Sequence, residues 1–379
     1  MIIGIDIRVL GSVTKSGIEE YTENILSHIF KLDKKIKFKL FYSSLNTKPM
    51  NYDWLGLSNV ELYNLRIPNK IIFATTNLLG RPYIDKLLGG TDVFFSPHFL
   101  LAGLSPGTKR VVTFHDLSYI YFPEFFSWRR NIWHHFQMKP SWQSRFADKI
   151  IAVSQSTKND LCSKYRVDPA KIEVIYSGIS PSISRPSDPE LGRFKIDKKL
   201  PDKFILFLAK LEPRKNVDGL IRAFNIIKKS SGFEDVHLVI VGSPGWLYRE
   251  IFREASNSEY KDKIIFRNYV EDYERPFYYS LASVFVYPSF FEGFGFPPLE
   301  AMVCKTPVVV SNNSSLPEVV GQGGILIDPY NVDEIAYVIK NVLISKKLRS
   351  HVIKNAEKEV AKFNWKKTAE QTLKCLTSV

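Results

Sequence analysis

The sequence predicts an α/β protein made of two doubly wound, parallel-sheet domains, and three observations carry that expectation. The chain has 379 residues, which at roughly 100 to 200 residues per domain suits two domains. Short apolar, β-rich runs alternate with helix-period segments throughout, the signature of parallel sheets covered on both faces. A Gly/Ser/Pro-rich stretch from Ser177 to Pro189 interrupts the alternation, and the series then begins again.

In chain order, Ile2 to Ile7, Phe38 to Tyr42, Asp92 to Ser96, Arg110 to Phe114 and Lys149 to Val153 read as buried strands, and Ile172 to Tyr176 closes the first series. Phe204 to Leu208, Val236 to Val241, Ile264 to Phe266, Val284 to Tyr287, Val308 to Val310 and Ile325 to Ile327 form the second. Asn216 to Lys229 and Val332 to Ile344 read as helices between strands, Lys346 to Lys362 as a further helical run, and Asn364 as the cap of a final helix. The domains are expected over 1–177 and 178–363. In such sheets ligands sit beyond the carboxyl ends of the strands, so the loops there are where chemistry is expected.

Composition narrows the class. Hydrophobic residues make up 45% and charged residues 24%, near the averages for folded globular proteins, which excludes disordered and collagen-like chains. The longest apolar runs are strand-length, well short of the roughly 20 residues that span a bilayer. The chain opens directly on a strand-like run without the charged head and apolar segment of a secretory signal, so a cytoplasmic location is expected. Cys162, Cys304 and Cys375 are scattered and odd in number, which suggests neither a disulfide framework nor a zinc site. The formal charge of +13 favours acidic partners: nucleic acid, phosphorylated metabolites or an anionic membrane. Nucleic acid is disfavoured, because the sequence has no Cys/His finger and no aromatic RNA-binding signature. Residues 1–175 hold 23 basic and 15 acidic side chains, a net +8. Within them, Phe122 to Phe136 mixes aromatic rings with Arg129 and Arg130; it reads as an interfacial membrane helix or, equally, as a packed helix with a basic edge. His134 and His135 are adjacent and would diverge by about 100° on a helix, which argues against a shared metal site.

The sharpest chemical signal is Pro288 to Met302, a strand, a glycine-containing turn and a helix in succession. Gly293 and Gly295, flanking Phe294, permit a tight turn and a close backbone approach to a ligand. The helix start offers N–H groups to an anion, and Glu292 and Glu300, eight residues apart, can bracket a ligand there. A second signal is Leu208 to Val217, where Arg214 and Lys215 follow a strand and precede an amphipathic helix. Together a guanidinium fork and a compact ammonium can hold a diphosphate and stabilise its departure. In the first half, His115 and Asp116 stand immediately past the strand Arg110 to Phe114.

These segments, in this order, resemble the retaining glycosyltransferases of family 4, whose two Rossmann-like domains face a cleft in the fold called GT-B. Val239 to Ser243, Asn268 to Val270 and Leu316 to Gly321 agree with the resemblance, which covers nearly the whole chain. It implies that Arg214 and Lys215 hold the pyrophosphate, Glu300 the ribose hydroxyls, Glu292 the sugar hydroxyls and the backbone near Val270 the base. It further implies that His115 contacts the transferred sugar, that Arg8 to Glu20, with Gly11 and Gly17, is a glycine loop beside the donor, and that Asp116, Arg129 and Arg130 lie on the acceptor side. The family's final helix implies that 364–379 crosses back to the first domain. The implied reaction moves a hexose from a nucleotide-sugar donor to a saccharide or lipid-linked acceptor with retention of configuration. No Asp-x-Asp occurs in the sequence, so no metal or other cofactor is expected. Thr113 to Leu117 with Phe122 to Glu124 resembles mannosyltransferases of bacterial surface polysaccharides, which makes GDP-mannose the first choice of donor. A UDP-hexose, or a catalytically silent nucleotide-sugar-binding scaffold, remains the alternative.

Overall fold

The computed structural model describes residues 1–11, 17–44, 51–128, 132 and 138–379. The expectations placed on Arg129, Arg130, His134 and His135 lie outside the described residues, as does the middle of the Arg8 to Glu20 loop. The chain forms two compact units, one of Met1–Tyr119, Trp128–Gly178 and Asn364–Val379, the other of Ile120–Ser127 and Ile179–Phe363. Two details depart from a boundary at 177/178: Gly178 falls with the first unit, and Ile120–Ser127 with the second.

The first unit is built on seven strands: β1 Ile2–Asp6, β2 Lys37–Tyr42, β3 Val60–Asn64, β4 Val93–Ser96, β5 Lys109–Phe114, β6 Lys149–Ala152 and β7 Ile172–Val174. They pair in parallel in the order β3-β2-β1-β4-β5-β6-β7, with Ile3 opposite Phe38 on one side and Val93 on the other. Strand β3 was not foreseen. It lies at the sheet edge with Glu61 and Leu62 turned outward, so the apolar run that marks a doubly covered strand is missing. The helix Gly17–Leu32 buries Tyr21, Ile25, Ile29 and Phe30 on one stripe and packs against the final helix, Trp365–Thr377. Past β1, Arg8 is fully buried. Its Nη2 lies 2.6 Å from Asp6 and its guanidinium is 4.9 Å and 5.0 Å from the rings of Phe41 and Phe73.

The second unit holds β8 Lys203–Leu208, β9 Val236–Val241, β10 Ile264–Arg267, β11 Val284–Tyr287, β12 Val308–Ser311 and β13 Gly324–Ile327, ordered β10-β9-β8-β11-β12-β13 and parallel throughout. The chain leaves β8 toward β9 and later returns to its other side as β11. The point where strand order reverses therefore lies between β8 and β11, the crevice where open parallel sheets place their ligands.

Candidate active site

The loops that follow β8 and β11 meet at this crevice, which is why residues nearly eighty apart in sequence touch. After β8 a short turn, Pro213–Lys215, presents both cations, and Asn216 in the left-handed conformation (φ 54°) opens the helix Val217–Lys228. Its side chain donates to the carbonyl of Pro329 at 2.7 Å, fixing the turn. Lys215 Nζ donates to Glu292 Oε1 and to the Tyr287 hydroxyl, both at 2.6 Å. Arg214 Nη1 donates to Glu292 Oε2 at 2.9 Å and to the Phe291 carbonyl at 2.6 Å, while Nη2 reaches Glu212 Oε1 at 3.2 Å. Glu212, Lys215 and Glu292 are all buried. Two cations face two carboxylates, and that balance is what permits burial of the group.

Burial alone would raise the Glu292 carboxyl, but Arg214, Lys215 and the hydrogen bonds outweigh it and hold the group at about 2. Burial, followed by the neighbouring Arg214, draws Lys215 down from the usual lysine value even though Glu292 opposes the shift. Tyr287 is pushed well above the phenolic range by burial and then by Glu292, so it remains a hydroxyl. The Glu292 N–H donates to Ser314 Oγ at 2.9 Å, and Ser315 Oγ bridges the carbonyls of Glu292 and Phe294. These bonds fix the loop between β11 and the helix Phe296–Val303.

Gly295 stands at the start of that helix with φ 105°, and a side-chain carbon there would meet Leu316 at 2.8 Å. The expectation of an anion site built from the helix's own N–H groups is weakened here, because Pro297 and Pro298 remove two of the first-turn donors. Glu300 lies inside the helix, buried, with Oε1 accepting from Arg275 Nη1 at 2.9 Å and Oε2 from the Tyr279 hydroxyl at 2.8 Å. Burial raises its carboxyl above the ordinary value. Glu292 and Glu300 thus have separate sets of partners. The Phe294 ring is buried against Phe296 and Phe363, so only its backbone can address a ligand.

The segment Ile120–Ser127 packs on the same loop. Tyr121 stacks on Phe291 with centroids 5.3 Å apart, Phe125 lies 5.7 Å from Phe290, and Phe126 stacks on Trp246, whose Nε1 donates to the Phe125 carbonyl. In the first unit, His115 follows β5. Its Nε2 lies 2.8 Å from the Pro97 carbonyl, which can only accept, so the neutral imidazole carries its proton on Nε2 and presents a lone pair at Nδ1. Burial lowers its pKa below 6.5. The Tyr21 ring meets it edge-on at 4.8 Å and His98 lies 5.7 Å away. Asp116 Oδ1 accepts from the N–H and Oγ of Ser118 at 3.0 and 2.8 Å, opening the short helix Ser118–Tyr121.

Comparison with known proteins decides what this geometry belongs to. Residues 189–359 match the family described as glycosyl transferases group 1, and residues 61–183 match glycosyltransferase family 4. The O-antigen chain mannosyltransferase B of Escherichia coli is 30% identical over 318 residues, 83% of this chain and 78% of that protein. The chain belongs to the group 1 glycosyltransferases. The serotype-specific mannosyltransferase WbdA of E. coli is 30% identical over 236 residues, and the match spans only 29% of that protein. A solved sucrose-phosphate synthase from Thermosynechococcus elongatus superposes over the whole chain and 98% of its own, with a TM-score of 0.78 at 18% identity. The two Rossmann-like units of this glycosyltransferase have the GT-B fold.

The remaining expected residues fall as follows. Val270 lies past β10 and, with Lys198, Arg267, Tyr269, Glu274 and Tyr278, lines a cavity of about 320 Å³. Gly17 is the first residue of its helix, and Gly293 lies in the Glu292 loop. Among the described residues no group of three His, Cys, Asp or Glu side chains is arranged to hold a metal, and no described helix is long and apolar enough to cross a membrane. Sequence reasoning missed Glu212, Tyr287, Arg275 and Tyr279. Glu212 had a local signal, an acid two residues before Arg214. Tyr287 is brought in by the pairing of β11 with β8, and Arg275 and Tyr279, one helical turn apart, by the packing of the helix Arg275–Leu281 against the helix Phe296–Val303.

Proposed function

We propose that this glycosyltransferase transfers mannose from GDP-mannose to a growing saccharide, free or lipid-linked, of a surface polysaccharide, with retention of configuration and without a metal. The observation that carries the reading is the buried Arg214–Lys215–Glu292 group at the sheet's switch point; the chain's likeness to O-antigen mannosyltransferases supports mannose as the sugar. Arg214 and Lys215 serve as counter-charge for the donor diphosphate, doing electrostatically what a metal does elsewhere. As the bond from the anomeric carbon to the phosphate oxygen breaks, the acceptor oxygen bonds that carbon on the same face, and its proton passes to the departing diphosphate. Glu292, ionised and turned toward both cations, accepts hydrogen bonds from sugar hydroxyls. Glu300 addresses the ribose, with Arg275 and Tyr279 as positioning residues that fix its carboxylate, and the backbone near Val270 addresses the base. His115 contacts the transferred sugar, its Nδ1 lone pair accepting from a hydroxyl.

The test is a panel of GDP-, UDP- and ADP-sugars scored by thermal shift and by transfer to a saccharide acceptor, with the product anomer read by NMR. Stabilisation by GDP-mannose and an α-linked product are expected, since a bound ligand raises stability in proportion to the logarithm of its concentration over Kd. Stabilisation by a UDP-hexose alone overturns the donor, and an inverted anomer overturns the mechanism.

A further inference from the structure

The strand order of the first unit reverses between β1 and β4, since the chain leaves β1 toward β2 and returns to its other side as β4. Ligands of open parallel sheets sit at such a point. Four carbonyls of the segment that follows β4 there, Pro97 to Ala102, accept hydrogen bonds from four separate side chains. His115 Nε2 donates to Pro97 at 2.8 Å, Gln143 Nε2, from the helix Pro140–Phe146, to Phe99 at 2.7 Å, Arg8 Nη2 to Leu101 at 3.0 Å and Arg110 Nη2 to Ala102 at 2.8 Å. The His98 carbonyl accepts from the Leu100 N–H at 2.7 Å. Loops ordinarily run over the surface, where water can satisfy such groups; here Arg8, Arg110 and Gln143, all buried, fix the backbone carbonyl by carbonyl.

The loop held in this way buries Pro97, Phe99, Leu101 and Ala102 and leaves His98 and Leu100 half-buried, so the polar side chain it presents is His98. That ring lies 4.3 Å from Phe99, which stacks on Phe114 of β5, and 5.7 Å from the ring of His115. Packing accounts for the apolar positions. It does not call for an imidazole beside another imidazole in the crevice. The acceptor oxygen must bond the anomeric carbon of the same sugar that His115 contacts, which makes the acceptor's ring that sugar's immediate neighbour. The imidazole next to His115 is placed to meet it.

We propose that His98 is a second saccharide-contacting residue, hydrogen-bonded to a hydroxyl of the acceptor sugar beside the reacting oxygen, and that Gln143 and Arg8 are positioning residues that act on it through the loop. A neutral imidazole donates from one ring nitrogen and accepts at the other, which suits a hydroxyl, itself donor and acceptor. This role rests on the contact of His115 with the transferred sugar. Of the two positioning residues, Gln143 is the one to test: Gln143→Leu removes the bonds to Phe99 and Met138 without exposing a charge, whereas loss of Arg8 would strand the buried Asp6.

The first measurement is transfer from GDP-mannose to p-nitrophenyl glycosides of mannose, glucose, galactose and N-acetylglucosamine by wild type, His98→Ala, His98→Gln and Gln143→Leu. With the acceptor that wild type uses best, His98→Ala and Gln143→Leu should raise the acceptor KM about tenfold while the donor KM stays within about twofold, and His98→Gln, which still donates and accepts, should recover most of the loss. An unchanged acceptor KM in His98→Ala overturns the proposal. So does a loss shared equally by His98→Gln and accompanied by a lower melting temperature, which would make His98 a packing residue. The second measurement needs no transfer: NMR of isotope-labelled histidine rings, with the His98 signal assigned by its absence from His98→Ala, during titration with methyl glycosides of the same sugars in the presence of GDP or UDP. A shift at His98 with at least one sugar is expected, and no shift with any of them overturns the assignment. A His98 shift in a protein that GDP-mannose does not stabilise would uphold the role of His98 and refute the donor; stabilisation by GDP-mannose without a His98 shift would do the reverse.

Discussion

Glu292 is the residue on which the buried cluster of the second unit turns, because it is at once a buried anion and the partner of both Arg214 and Lys215. Its carboxyl falls from 4.5 to about 2, an interaction worth about 3 kcal/mol at most, offset in part by the downward shift of Lys215. A depressed carboxyl contributes stability that is present above its unfolded value and is lost as pH falls through the folded one. Wild type should therefore lose stability between pH 4.5 and about 2, and Glu292→Gln should flatten that limb in denaturant titrations across pH. Removing the charge strands Arg214 and Lys215, so the same variant should be less stable at neutral pH by about 3 kcal/mol and should lose sugar transfer by about a hundredfold or more. Near-normal turnover at saturating donor would remove Glu292 from the mechanism. His115 adds a loss in the same direction, beginning at higher pH. Its pKa lies below 6.5, so as pH falls under that value the unfolded chain takes up a proton that the folded imidazole refuses, and stability declines. His115→Ala should relieve that decline while lowering kcat more than it raises the donor KM; an unchanged kcat would reduce His115 to a packing residue.

At the scale of elements, the final helix is held to the first unit by a contact with no slack. A side-chain carbon on Gly178 would sit 2.3 Å from the backbone nitrogen of Trp365, and the indole lies 5.9 Å from the Tyr21 ring in the helix Gly17–Leu32. Thr368 Oγ1 donates to the Tyr176 carbonyl at 2.7 Å, closing the same junction. Gly178→Ala should cost about 1 to 3 kcal/mol and Trp365→Ala about 3 to 5 kcal/mol, both read by urea unfolding of the full chain; wild-type stability in Gly178→Ala would show that the helix is free to move away. Such elements were legible to different degrees. The doubly covered strands announce themselves as Val/Ile/Phe runs, and the Asn364 cap is written in the sequence, its Oδ1 accepting from the Lys366 N–H at 2.8 Å. Strand β3 was not legible, since an edge strand is partly exposed and its Glu61 and Asn64 dilute the pattern. At the site, Arg214, Lys215 and Glu292 could be singled out because they stand in loops just past strands. Their mutual contact could not be read, because it follows from β11 pairing with β8, a long-range choice made by packing.

For the whole molecule, the formal charge of +13 has an electrostatic use whatever the acceptor, since the donor of a glycosyltransferase arrives as an anion and a positive field raises its local concentration. That field is screened over about 10 Å at 0.1 M salt, so the apparent donor affinity should weaken as salt rises. The closer question is what neutralises the diphosphate once bound. Arg214 and Lys215 sit together on one turn, and Glu292 reaches both; a nucleotide diphosphate drawing on the same two cations would loosen their hold on Glu292 and turn that carboxylate toward sugar hydroxyls. In this account the counter-charge is built into the chain. Activity measured with excess EDTA should then equal that of the untreated enzyme, and added magnesium or manganese should change kcat by less than about twofold, whereas a metal-bridged diphosphate would forfeit several kcal/mol of transition-state stabilisation on chelation. Arg214→Ala and Lys215→Ala sharpen the comparison: each should lose most of its transfer while remaining folded, and divalent metal should restore neither. Loss of wild-type activity on chelation, recovered with manganese, would assign the diphosphate to a metal and leave the two cations as the structural partners of Glu292.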